Sequence, residues 1–170
     1  MAEATTTNRF GWVGEITPYQ WRVFLVVWLG WALDTTDFGL FALVLPLAVP
    51  ELSAGAAANV ASLGLFGGIL AMTGLLGWAV GGFLFGMVAD YIGRIRALAI
   101  AILVFSVFTA LQGFAQNLVQ LGIFRFLAGL GTGAEIVVGI ALVAEAFAGM
   151  QRAKVAGIMM TGGARRQIPR

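Results

Sequence analysis

Residues 118–147, LVQLGIFRFLAGLGTGAEIVVGIALVAEAF, decide the fold. Only Arg125, Glu135 and Glu145 are charged in this stretch. As a helix it is about 45 Å long, ample for the ~20 residues that a bilayer core demands. Gly129 and Gly133 form a small-xxx-small pair, which lets helix backbones approach closely in lipid. Charges at membrane depth cost several kcal/mol each and face a cavity or a partner. Arg125 and Glu135 therefore mark this segment as one wall of a polar interior.

The rest of the chain has the same character. Its 170 residues are 60% hydrophobic and 11% charged, with a mean hydropathy of +0.94. Soluble domains carry about a quarter charged residues, so the expectation is an all-α membrane protein. Further apolar spans fall at about 21–49, 58–89 and 97–114. Pro46 and Pro50 mark the end of the first. A fifth run, 155–164, stops at Arg165-Arg166 after about half the length needed to cross. Residues 1–20 are polar and lack a signal-peptide layout, with Thr17-Pro18 as a helix cap and first position. Residues 165–170 form a basic tail. Gly64/Gly68, Gly77/Gly81 and Gly82/Gly86 repeat the small-xxx-small spacing and read as helix packing.

Composition excludes much chemistry. With no Cys and no His, thiolate and imidazole metal sites, disulfides and nucleophile–His catalysis are ruled out. No nucleophile–base set can be assembled, so an enzyme is not expected. The net charge of +2 is scattered, which argues against nucleic acid. No phosphate loop, metal or organic cofactor is indicated.

Charge placement orients the spans. Arg9 and Arg22 precede the first, Arg94 and Arg96 lie between the second and third, and Arg152 and Lys154 follow the fourth. The positive-inside rule makes these segments cytoplasmic in a cell-membrane protein. Asp34 then lies roughly 20 Å, and Asp37 roughly 24 Å, from the cytoplasmic start of span 1. Arg125 lies roughly 10 Å below the outer end of span 4, at a depth similar to Asp37. An ion pair forms if spans 1 and 4 are neighbours. Asp34 and Asp37 share a helix face, which suits proton uptake and release. Arg125 reads either as a bidentate grip on a substrate carboxylate or as the counter-ion of Asp37. Glu135, roughly 15 Å deeper than Arg125, reads as a gating partner, and Glu51 and Glu145 as solvated span ends.

Two stretches resemble a known family. Gly86-Met-Val-Ala-Asp90-Tyr-Ile-Gly93-Arg94-Ile-Arg96 is similar to the loop signature of the major facilitator superfamily at Gly86, Asp90, Gly93 and Arg96, and departs from it at Tyr91 and Ile95. Arg125-Phe-Leu-Ala-Gly129-Leu-Gly131-Thr-Gly133-Ala-Glu135 resembles its second, glycine-rich signature. Trp28-Leu-Gly-Trp-Ala-Leu-Asp34-Thr-Thr-Asp37-Phe resembles proton symporters for sialic acid, monocarboxylates and aromatic acids, with Thr35-Thr36 in place of the family's middle pair.

The resemblance implies a partial N-terminal half of a major facilitator fold over residues 21–164, four transmembrane helices plus a truncated fifth. It implies proton-coupled symport of a small organic anion, with Asp34 and Asp37 coupling protons and Arg125 binding substrate or acting as counter-ion. Gly86, Asp90, Gly93, Arg96 and Glu135 would belong to the cytoplasmic gate. Alternatives are a sugar or other solute transporter of that superfamily and a non-transporting four-span scaffold. A truncated product, inactive alone, is expected. A missing second half or self-association would then cover its open faces.

Overall fold

In the computed structural model, residues 16–53 and 60–147 are described. The segment before Ile16, Arg152 and Lys154, the fifth run at 155–164 and the tail at 165–170 lie outside them. Among the described residues there are four helices: α1 Pro18–Leu52, α2 Val60–Ile92, α3 Arg94–Gln112 and α4 Leu118–Ala146. Each is long and apolar enough to cross a membrane.

Local sequence sets the helix ends. Thr17 caps α1 in a reciprocal box: Gln20 N donates to Thr17 Oγ1 (3.3 Å) and Thr17 N to Gln20 Oε1 (2.8 Å). Pro18 takes the first position, where its missing N–H costs nothing. Asn117 caps α4 by accepting from Gln120 N at 2.8 Å. Between α2 and α3 the break is a single residue, Gly93, whose φ of 88° is open to glycine with little strain. The stretch from Gly86 to Arg96 is therefore two helix ends meeting at one hinge rather than a loop.

The prolines of α1 do not end it. The helix runs through Pro46 and Pro50 to Leu52. Each proline removes one backbone hydrogen bond, but its φ is helical and membrane helices tolerate the loss. Beyond Pro50, Ser53 N donates to Val49 O (3.0 Å) and Ser53 Oγ to Pro50 O (3.2 Å), which closes the last turn.

Successive helices alternate in direction, and α4 is the centre. It packs on α2 most extensively, then on α3, then on α1. Glycine makes the α2–α4 seam possible. A Cβ at Gly129 would come within 3.1 Å of Trp78 N, one at Gly133 within 2.8 Å of Gly82 N, and one at Gly77 within 2.9 Å of the Phe126 carbonyl carbon. Gly64 and Gly68 meet nothing within 4 Å, so their spacing serves no contact among the described residues.

Two apolar clusters bracket the interior. Val27, Leu98, Val138 and Phe147 belong to one, towards the Pro18 end. Val49, Leu70 and Leu121 form the other. Between them lie the buried polar side chains of the described residues, Asp34, Arg125, Thr132 and Glu135. The outward faces are apolar, with Leu43 and Leu47 each 74% exposed, a surface suited to lipid or to another helical layer.

Candidate functional site

Arg125 is the anchor of the polar interior and is only 3% exposed. Gly74 of α2 stands opposite it, and a Cβ there would lie 3.3 Å from Arg125 Cγ. The absent side chain leaves a channel for the arginine stem. Arg125 Nη1 donates to Asp37 Oδ2 of α1 at 2.6 Å and to Gln112 Oε1 at the end of α3 at 3.4 Å. Its guanidinium lies 3.9 Å from the Phe41 ring centroid and 5.0 Å from that of Phe38, so two ring faces share the cation. One buried positive charge thus ties three helices together.

Asp34, one turn before Asp37, takes other partners. It accepts from Thr132 Oγ1 at 3.2 Å, and its Oδ2 has no hydrogen-bond partner. Glu135, next along α4, packs against Gly30, where a Cβ would lie 2.6 Å from Glu135 Oε2. That oxygen also lacks a partner. Asp34 and Glu135 line one small cavity of about 10 Å³ with Val27, Trp31 and Leu98, about the room that one water needs.

Asp90, Gly93 and Arg96 lie apart from this interior, at the end shared by α2, α3 and α4, whereas Gly86 packs on α4 against Val137, where a Cβ would lie 3.5 Å from Val137 Cγ1. Arg94 pairs with Glu145 of α4 and approaches Asp90 at 3.8 Å. No ion pair to Arg96, which is exposed, occurs among the described residues. At the same end Gln20 Nε2 donates to Ala146 O at 2.7 Å, tying the start of α1 to the end of α4.

A second, larger space adjoins the arginine. A groove of about 380 Å³ runs beside α1, lined by Trp31, Asp34, Thr35, Phe38, Trp78 and Thr132 among others. A nook of about 10 Å³ holds Arg125 and Asp37, and shares Phe38, Trp78 and Thr132 with that groove.

Residues 27–164 match the Major Facilitator Superfamily. The chain belongs to the major facilitator superfamily. It is 37% identical over 154 residues to a probable 4-methylmuconolactone transporter of Cupriavidus pinatubonensis, covering 90% of this chain and 34% of that protein. It is 35% identical to a benzoate transport protein of Acinetobacter baylyi, covering 77% and 28%. It is 28% identical to the sialic acid transporter NanX of Escherichia coli, covering 89% and 35%. The chain spans about a third of the length of these relatives. Family and helices together make this facilitator chain a multi-pass membrane protein.

Several site residues escaped the sequence reading. Glu145 is exposed, as expected of a solvated span end, and it also holds Arg94, a pairing the sequence did not show. Their shared end of the bundle was the available signal, since Arg94 opens α3 and Glu145 nearly closes α4. Glu135 stands with Asp34 rather than with Gly86, Asp90, Gly93 and Arg96, because its face of α4 turns toward Gly30 of α1. Thr132 and Gln112 carried no charge to single them out. The aromatic partners Phe38 and Phe41 were hidden among many apolar neighbours.

Proposed function

We propose that this chain forms the first four helices of the N-terminal half of a proton-coupled symporter for small organic anions. In this reading it resides in the cell membrane with the Pro18 end cytoplasmic, and transports solute rather than catalysing a reaction. One observation carries the reading: a buried arginine neutralised by a single internal carboxylate, Asp37, at 2.6 Å. Such a cation can exchange its internal partner for the carboxylate of a substrate.

The cycle follows from charge balance. Arg125 with an ionised Asp37 is a neutral pair, and a substrate anion entering beside it would add an unbalanced charge. A proton taken up by the Asp34/Asp37 face removes that excess, so anion and proton enter together. Substrate release and deprotonation restore the Arg125–Asp37 pair. Glu135, beside Asp34, extends the carboxylate set inward, and Asp90, Gly93, Arg94, Arg96 and Glu145, with Gly86 on the packed face, act as a latch between helix ends. Substrate in such folds binds at mid-membrane between two six-helix halves, so the second half completes the site. The names of the relatives, benzoate transport among them, support a carboxylate as cargo.

The test is a chimaera in which residues 27–164 replace the matching segment of the Acinetobacter baylyi benzoate transport protein. Uptake of labelled benzoate into proteoliposomes should rise with an inward proton gradient and vanish with Arg125→Ala. Uptake that ignores the gradient would remove proton coupling from the proposal, and uptake that survives Arg125→Ala would remove the carboxylate grip.

A further inference from the structure

A single nitrogen of Arg125 faces two acceptors that differ in kind and in distance. Nη1 donates to the carboxylate of Asp37 on α1 at 2.6 Å and to the amide oxygen of Gln112 on α3 at 3.4 Å. The first is a short, charge-assisted bond. The second is longer than the usual N–H···O range, which ends at about 3.2 Å. The arginine is therefore held by the carboxylate, with the amide in reach but slack.

The amide is an unlikely choice for packing alone. A guanidinium only donates, so Gln112 must turn its oxygen toward Arg125, and its Nε2 is then left buried with no hydrogen-bond partner. A buried donor without a partner is destabilising. Leucine would fill a similar space without that cost, so the oxygen is what the position requires. A carboxylate there would neutralise the arginine permanently, and an apolar side chain would leave it nothing once Asp37 let go. A neutral acceptor does neither.

The two acceptors also stand on helices of different firmness. α3 packs more extensively on α4 than α1 does, and α1 lacks backbone hydrogen bonds at Pro46 and Pro50. Gln112 closes α3, so its amide moves with the α3–α4 pair, whereas Asp37 moves with α1.

We infer that Gln112 is a positioning residue for Arg125: its amide oxygen is the standby acceptor that keeps the guanidinium in place on α3 and α4 when Asp37 of α1 gives it up. Its role in transport rests on the exchange step proposed above, while its hold on the arginine does not. The bond tightens only when Asp37 is neutral or displaced, so the effect of losing Gln112 depends on the state of Asp37.

The experiment is a melting series on the full 170-residue chain in detergent, followed by tryptophan fluorescence, with uptake measured in the benzoate chimaera. Gln112→Leu should lower the melting temperature little by itself and much more in an Asp37→Asn background. Asp37→Asn should melt lower than the parent chain, and adding Gln112→Glu should recover most of the drop by supplying a carboxylate from α3. Gln116→Glu, the same charge change at an exposed position near the end of α3, should recover none of it. In the chimaera, Gln112→Leu should lower proton-driven uptake about tenfold, the worth of one hydrogen bond to a charged group. Gln112→Glu should stop uptake while the protein stays folded. Equal effects of Gln112→Leu in the two backgrounds, no recovery by Gln112→Glu, or equal recovery by Gln116→Glu would overturn the inference. So would normal uptake by both Gln112 variants. Uptake that survives Arg125→Ala would overturn the exchange step and the transport role drawn from it, and the melting series would still decide whether Gln112 holds the arginine.

Discussion

Arg125 Nη1 and Asp37 Oδ2 lie 2.6 Å apart although their residues stand 88 positions apart in the chain. The pair is only 4% and 18% exposed on its two side chains, so neither charge has water to fall back on. Removing one partner of a buried pair strands the other, at a cost of about 3–5 kcal/mol.

Arg125→Ala and Asp37→Ala should therefore each lower the thermal stability of the detergent-solubilised chain strongly, followed by tryptophan fluorescence. The double variant should lose less than the sum, because no charge is stranded in it. Arg125→Lys should be intermediate, since lysine keeps the charge but loses the planar face that rests on Phe41. Strict additivity of the two alanine variants would show that the pair is not coupled.

Close approach of α2 and α4 leads to a second expectation. Gly133 and Gly129 have α2 backbone where a Cβ would go, while Gly64 and Gly68 have open space. Backbone yields less readily than a flexible side chain, and overpacking costs about 1–3 kcal/mol or more. Gly133→Ala should reduce folded yield and melting temperature, and Gly68→Ala should leave both unchanged. Equal effects at the two sites would dismiss the seam.

Gln20 makes two contacts of opposite sense, and this sets a third expectation. Its Oε1 accepts from Thr17 N, and its Nε2 donates to Ala146 O at the end of α4. Gln20→Glu keeps the acceptor but replaces the donor with a carboxylate facing a carbonyl at a helix C-terminus, where negative charge is disfavoured. The expected loss is about 1–2 kcal/mol, larger than for Thr17→Ala, which removes only a cap worth about 1 kcal/mol. Thermal unfolding of the two variants side by side decides the order.

Much of this was legible in advance, for reasons that differ by residue. Helix number followed from apolar length, and the Thr17-Pro18 start from capping chemistry. Arg125 and Asp37 could be matched in depth because helix rise converts sequence number to distance. Rotation about each helix axis was not legible. A helix that is apolar on every side carries no stripe to show which face turns inward. That is why the turn of Glu135 toward Gly30, the ring cluster of Trp31, Phe38 and Trp78, and the Arg94–Glu145 pair emerged only from the folded chain. The prolines misled for a different reason: rules learned in water treat Pro46 and Pro50 as stops, whereas a membrane helix continues through them.

Glu135 supplies the last expectation. Its Oε2 is buried without a partner, beside Gly30 and facing Val27, Trp31 and Leu98. A polar atom left unsatisfied in such surroundings costs about 1–3 kcal/mol, so nothing in packing accounts for a carboxyl group here. Replacing a poorly satisfied buried polar group with an apolar one of similar size is neutral or stabilising. Glu135→Met should therefore hold or raise the melting temperature of the chain. In the chimaera with the benzoate transport protein, the same substitution should abolish proton-driven uptake, because an apolar side chain carries no proton. A variant that melts lower and transports normally would reverse both halves of the argument and make Glu135 a structural residue. Gly30→Ala provides the complementary reading: its methyl group would push the Glu135 side chain aside, and uptake should fall while the acid group itself remains.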